Sequence, residues 1–330
     1  MTTRIILDCD PGHDDAMAIL LAHGTPEVSL AAITTVAGNH PVDITTLNAL
    51  RVCSLAGIRD VPVASGCAAP LVRPLLTAPE IHGTTGLEGH DWDEPAMRAV
   101  PEHAVDVIID TVMAAPGEIT LVPIGPLTNI AVALRREPRI AQRVRDVVLM
   151  GGSYAGGNVT PAAEFNIYVD PEAAAVVFGA GWPLTMVGLE VTRKAAADEE
   201  VFRRVAALET PVARAVVGML RFYQRQQMSA VGVSEPPVHD PCAIARVARP
   251  ELVPCREAHV EVELAGRFTT GMTVVDFRLR NRNQANACVG TGLDLAGFWD
   301  LFITALSRIN STVTPGPSPS PSPSARGSSG

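Results

Sequence analysis

Residues 7–20 read LDCDPGHDDAMAIL: four aspartates, Asp8, Asp10, Asp14 and Asp15, fall within eight positions, and the chain then runs directly into an apolar segment. The preceding run RIILDCD is short and apolar, as a strand buried on both faces would be. After a Pro11-Gly12 turn, DDAMAILLAHG is apolar nearly all round, which suits a helix covered on several sides. A buried strand therefore feeds a buried helix through an acidic turn.

The same alternation continues along the chain. Strand-like SLAAITTVAG, VPVASG, EITLVPIG, DVVLMGG and LTMVGLE are interleaved with helix-like DITTLNALRVCSLAG, HAVDVIIDTVMAA, LTNIAVALRRE and PEAAAVVFGAG. Repeated strand-helix units predict an α/β fold: an open, mostly parallel central sheet with helices on both faces. Further on, long helices are expected around TPVARAVVGMLRFYQRQQM and DPCAIARVA. EAHVEVELAG and TTGMTVVDF then suggest a small antiparallel addition before the closing helix LAGFWDLFITAL. Residues 1–313 read as one α/β domain, and 314–330, TPGPSPSPSPSARGSSG, as a disordered Pro/Ser-rich tail.

At 330 residues with 47% hydrophobic content, the chain can fill a substantial core. The net charge of -9 and the absence of a Lys/Arg block argue against nucleic acid as a partner. No apolar run of about eighteen residues and no secretory leader stand out, so no membrane association and a cytoplasmic location are expected. The six cysteines have no CxxC spacing and read as buried thiols.

In open parallel sheets ligands bind beyond the carboxyl ends of the strands. Asp10, Asn39, Ile124 and Met150 all stand at such ends, so they are expected to share one crevice. Packing like charges there costs roughly 4 kcal/mol per pair at 4 Å with an effective dielectric of about 20. A helix N-terminus returns only about 0.3 to 1 kcal/mol per charge. A bound cation would do more, and an all-oxygen donor set favours Ca²⁺ or Mg²⁺ over zinc. Asp14 and Asp15 point about 100° apart, so one can face a metal and the other a substrate.

Three other stretches carry polar groups suited to a site. In EPPVHDPCAIA, Asp240 fits a helix N-cap with Pro241 at the first helical position; alternatively its carboxylate reaches a metal and His239 donates a proton to a leaving group. The glycine-rich GGSYAGGNVTPAAEFN sets out Asn158, Glu164 and Asn166, good partners for sugar hydroxyls or simply turn formers. EIHGTTGLEG places His82 in a loop able to cover a site.

Taken in order, DCDPGHDDAMAI, VAGNH, IHGTTGL, LVPIGPLTNIA, VVLMGG, NVTPAAEFNIYVDPEAA and VHDPCAIA resemble the inosine-uridine preferring nucleoside hydrolase family over about residues 3–310. The resemblance implies Ca²⁺-dependent hydrolysis of the N-glycosidic bond of ribonucleosides to free base and ribose, within nucleoside salvage. It implies metal ligation by Asp10, Asp15, Asp240 and the Ile124 main-chain carbonyl. Asp14, Asn39 and Asn166 would hold the ribose hydroxyls, with Asn158 and Glu164 toward the 5′-hydroxyl and Met150 nearby, and Phe165 would be a further substrate-binding residue. Asp10 would be the base that activates water, and His239 and His82 the candidate acids for the leaving base. Tyr223, Gln227 and His239 would contact the base. The histidine within DPGHDD most resembles the pyrimidine-preferring bacterial branch. Val231 stands where that branch commonly has tyrosine, which leaves either a uridine/cytidine preference or a broader range including inosine. A homodimer or homotetramer is usual in the family. Two rival readings remain: a haloacid-dehalogenase-like Mg²⁺ phosphatase, whose DxD also follows a buried strand but without Pro-Gly, and a non-catalytic nucleoside-binding protein.

Overall fold

The computed structural model describes residues 2–278 and 285–309; the expected tail lies outside the described residues. In chain order the elements are β1 Thr3–Cys9, α1 His13–Gly24, β2 Val28–Thr35, α2 Val42–Ala56, β3 Val63–Ser65, α3 Pro79–His82, α4 Ala104–Ala114, β4 Ile119–Pro123, α5 Thr128–Arg136 and β5 Asp146–Met150. There follow α6 Phe165–Val169, α7 Pro171–Phe178, β6 Leu184–Val187, α8 Leu189–Thr192, α9 Glu199–Ala206, α10 Pro211–Val231, α11 Pro241–Ala248, β7 Cys255–Val262, β8 Thr273–Asp276, β9 Ala287–Gly290 and α12 Leu295–Arg308.

The nine strands form one sheet in the order β3-β2-β1-β4-β5-β6-β9-β7-β8. All pairs from β3 to β9 are parallel, and β7 pairs antiparallel with both β9 and β8. The mostly parallel sheet and its antiparallel margin are as the sequence indicates. What pattern reading missed is β9: at four residues, ACVG is too short to show a period, yet it is the strand that joins the margin to β6.

Alternation along β1 sends Ile5, Leu7 and Cys9 into a core layer with α1, α2, α9, α10, α11 and α12, and Ile6 into a second layer with α4, α5 and α7. Helix α1 is buried at every residue but His23, because α2, α10, α11 and α12 pack around it. Of the cysteines, Cys9, Cys53 and Cys242 are buried as expected, whereas Cys67, Cys255 and Cys288 are partly accessible. The expectation of six buried thiols fails for these three: Cys67 packs only in part against the second core layer, and Cys255 and Cys288 lie on the sheet face opposite Ala258, Val260, Ala287 and Val289.

Strand β1 has β2 on one side and β4 on the other: the chain runs outward from β1 through β2 to β3 and then returns to β4 on the far side, reversing direction between β1 and β4. The crevice of a parallel sheet opens at such a reversal. The acidic turn after β1 and Ile124 after β4 stand at its mouth.

Candidate active site

The turn after β1 is organised by Asp15. Its Oδ1 accepts from the Asp10 amide at 3.0 Å, and its Oδ2 from the Gly12 amide at 3.0 Å and Asn39 Nδ2 at 3.3 Å. Asp15 thus reaches back from the first turn of α1 to satisfy amides that a helix start leaves free. Asp10 Oδ2 accepts from the Asn39 amide at 2.7 Å, and the Asp10 carbonyl accepts from Asn39 Nδ2 at 3.2 Å. A Cβ on Gly38 or Gly125 would collide with the Asp10 carboxylate oxygens, so only glycine lets the two flanking loops close around it. Sequence reading places Gly125 in the strand-end stretch 123–125 without giving it this role and passes over Gly38, although each sits beside an expected site residue, in PIGP and VAGNH.

Asp8 is different. It shares the Ile6 side of β1, where Oδ1 accepts from Thr34 Oγ1 at 2.6 Å and Asn129 Nδ2 at 2.8 Å. Burial pushes its carboxyl up to about 7. It joins β1, β2 and α5 and does not line the crevice.

Asp240 immediately precedes α11, with Pro241 at the first helical position, but its side chain makes no capping bond. The capping account is thereby displaced. The carboxylate instead turns to the cluster: ligand oxygens of Asp14, Asp15 and Asp240 lie within 4.8 Å of one another. Asp10 is outside that trio and adjoins it through Asp15. Burial first, and then mutual repulsion, raises the carboxyls of Asp10 and Asp240 well above the usual range and Asp14 to about 7. Asp15 is raised by burial too, against the amides that lower it. Among the described residues, none of the hydrogen bonds these four carboxylates accept comes from Lys or Arg. Four buried acids that no Lys or Arg bonds among the described residues fit a hard cation, and the oxygen-only donors exclude a soft one.

A polar shelf follows from the ends of β4 and β5. Asn166 Nδ2 donates to the Ile124 carbonyl at 2.7 Å and the Met150 carbonyl at 3.2 Å. Glu164 caps α6, with Oε1 accepting from the Asn166 amide and Oε2 from the Gly152 and Ile167 amides. Desolvation lifts its carboxyl to about 6. Asn158 Oδ1 accepts from the Phe165 amide at 2.9 Å. The glycine-rich loop is therefore folded inward around its own amides, with Asn158, Glu164 and Asn166 on the crevice wall.

At the opposite end stand the aromatic groups. His13 stacks on His82 and Tyr223, and Tyr223 on His82, with ring centroids 5.5 to 5.6 Å apart. The His13 amide donates to His82 Nδ1 at 3.3 Å, and Tyr223 shares a hydrogen bond with Gln227. His239 Nδ1 lies 2.7 Å from Thr192 Oγ1, and the His239 amide donates to Asp14 Oδ2 at 3.3 Å. Thr192 gave no sequence signal. An imidazole with its ordinary pKa would carry a proton part of the time at neutral pH; here burial lowers His239 to about 4 and His82 well below its ordinary value. Burial thus favours the neutral form of both rings.

Asp14, Asn39, His82, Ile124, Met150, Asn158, Glu164, Phe165, Asn166, Tyr223, Gln227, His239 and Asp240 all line a single cavity of about 750 Å³. Asp10 and Asp15 lie beneath its floor, hydrogen-bonded to Asn39. Every expected site residue is thus brought to one place, from segments up to 230 positions apart. Val231 stands at the rim, 59% exposed, and Arg193 joins the wall.

The sequence and the fold both have close counterparts. The family model for inosine-uridine preferring nucleoside hydrolases matches residues 5–300. The chain is 48% identical to the inosine-uridine preferring nucleoside hydrolase of Crithidia fasciculata, covering 94% of this chain and 99% of that one. It is 46% identical to the pyrimidine-specific ribonucleoside hydrolase RihA of Shewanella woodyi, covering 93% and 98%. Among solved structures, the purine-preferring ribonucleoside hydrolase from Gardnerella vaginalis superposes with a TM-score of 0.88 at 33% identity, covering 93% and 99%.

Proposed function

This chain belongs to the inosine-uridine preferring nucleoside hydrolase family, and from that premise we propose how its cavity cleaves ribonucleosides to free base and ribose. The cation the acid cluster fits is Ca²⁺, with Asp10, Asp15 and Asp240 offering side-chain oxygens and Ile124 its carbonyl. When bound, it supplies a Lewis-acid centre that orients the ribose diol and the attacking water. The observation that carries this reading is the burial of four carboxylates at and beneath the floor of a nucleoside-sized cavity, none of them bonded by Lys or Arg among the described residues.

Asp10, locked by Asn39 and Asp15, takes the proton of the attacking water. Asp14, Asn39 and Asn166 grip the ribose hydroxyls; Asn158 and Glu164 serve the 5′-hydroxyl, and Met150 and Phe165 complete the wall of the sugar site. The carboxylates around the sugar stabilise positive charge that builds as the glycosidic bond breaks. His239, its Nδ1 tied to Thr192, leaves Nε2 for the departing base, with His82 beside it. With burial favouring the neutral form of both rings, their N–H groups can donate hydrogen bonds to the departing base and stabilise the negative charge that develops on it.

Tyr223 and Gln227 contact the base, and the absence of an aromatic hydroxyl at Val231 supports a range that includes inosine as well as uridine and cytidine. The assembly is a homodimer or homotetramer, and the location is the cytoplasm; no helix among the described residues is long and apolar enough to cross a membrane. A phosphatase reading has no place in this family, and the full set of acids beside the cavity disfavours a non-catalytic binder.

The test is ribose release from a panel of ribonucleosides, deoxyribonucleosides and nucleotides, before and after prolonged chelation. Ribose from several ribonucleosides, lost on chelation and restored by Ca²⁺, is expected. No ribose from any nucleoside overturns the reading.

A further inference from the structure

Away from the cavity, two of the partly accessible cysteines meet at the antiparallel margin. In the β7-β9 ladder Cys255 faces Gly290 and Glu257 faces Cys288, so the two thiols are diagonal neighbours on one face of the sheet. Ala258, Val260, Ala287 and Val289 occupy the other face, inside the core. The cysteine side chains hydrogen-bond to each other. Cys255 Sγ also lies 3.3 Å from the Val253 carbonyl, and one thiol proton cannot serve both acceptors at once. Arg246, held by the Pro250 and Val253 carbonyls, stands close enough to both sulfurs to favour a thiolate, while Glu257 opposes it.

We propose that Cys255 and Cys288 form a thiol-disulfide exchange site for low-molecular-weight disulfides, with Cys288 as the attacking thiol and Cys255 as the resolving one. The Cys288 thiolate attacks one sulfur of the small disulfide, breaking its S–S bond and releasing one thiolate. Cys255 then attacks Cys288 Sγ in the mixed disulfide, forming the protein S–S bond and releasing the second thiolate, which takes the Cys255 proton. Two protein thiols are oxidised and one small disulfide is reduced to two thiols. The hydrogen bond from Cys255 brings the Cys288 thiol down to about 7, and the same bond and burial push Cys255 up. Diagonal partners in a ladder stand farther apart than a relaxed disulfide needs, so the bridge is readily reduced. Cys67, equally classed as partly accessible but pushed up to about 11 by burial and the nearby Asp8 and Asp170, is the internal reference.

The experiment equilibrates the full chain in reduced and oxidised glutathione at pH 7, quenches with acid, and reads intact mass and peptide maps. A species lighter by two hydrogens is expected, bridged between Cys255 and Cys288 and restored by dithiothreitol. Cys255→Ser should accumulate glutathione on Cys288. In limiting alkylation, Cys288 should react about tenfold or more faster than Cys67. Six free thiols at the most oxidising ratio, a bridge through any other cysteine, or equal rates for Cys288 and Cys67 each overturn the proposal. The glutathione equilibration and the alkylation use the unaltered chain and stand even where the serine variant does not fold.

Discussion

The main-chain amide of Asn39 donates to Asp10 Oδ2 across 2.7 Å, fastening the segment after β2 to the end of β1. The carboxylate assigned to water activation is thus held by backbone, and its other oxygen is closed in by Gly125. Asp10→Asn keeps the shape and removes the base. Ribose release should fall by about 10² to 10⁴ in kcat, with circular dichroism unchanged. Retention of more than a tenth of the activity would refute the role.

Glycine at 38 and 125 is a steric requirement. Gly125→Ala drives a methyl into Asp10, and overpacking of this kind costs about 1 to 3 kcal/mol. Both Ca²⁺ affinity and activity should drop in a calcium titration, and the melting temperature should fall. Normal affinity and activity would show that the loop gives way freely.

Cation removal is expected to destabilise as well as inactivate. Ca²⁺ at 100 times its dissociation constant should add about 2.7 kcal/mol to unfolding, because the repelling acids bind it only when folded. In thermal melts Asp240→Asn should lose most of this calcium-dependent increment, whereas Glu137→Gln, an acid remote from the cluster that pairs with Arg139, should keep it. The same increment in both variants would place the ion elsewhere.

Asp8 makes stability depend on pH with a definite sign. Its folded pKa, about 7, exceeds its ordinary value of 3.8, so the folded chain holds a proton that the unfolded chain has released. The contribution is complete below about pH 4 and is lost as pH rises through 7, on the order of 4 kcal/mol in all. Between pH 5 and pH 8 the unaltered chain should lose more stability in urea melts than Asp8→Asn, which retains the oxygen that Thr34 and Asn129 bond. Parallel pH profiles would refute it.

Leaving bases differ in their need for a proton. His239→Ala should therefore reduce turnover unevenly, with about a tenfold or greater spread between inosine and uridine. Val231→Tyr should raise the preference for uridine over inosine. An equal loss on both substrates for His239→Ala, or an unmoved preference for Val231→Tyr, would remove that residue from base handling.

The sequence by itself determined the alternation of buried strands and helices, the acidic turn between β1 and α1, and the set of polar residues at the strand ends. These are legible because periodicity and turn chemistry act over a few neighbouring residues. Even so, β9 escaped, since four residues carry no period. Packing decided the rest. From its local sequence Asp240 reads first as a helix cap, and only the approach of α11 to α1 turned its carboxylate into the cluster. The neutrality of His82 and His239 comes from burial, which local sequence does not encode. Cys255 and Cys288, 33 positions apart and unremarkable in spacing, became partners because a strand register set them diagonally on one face. Desolvation and through-space distance belong to the assembled layers, and the chain acquires them only on folding.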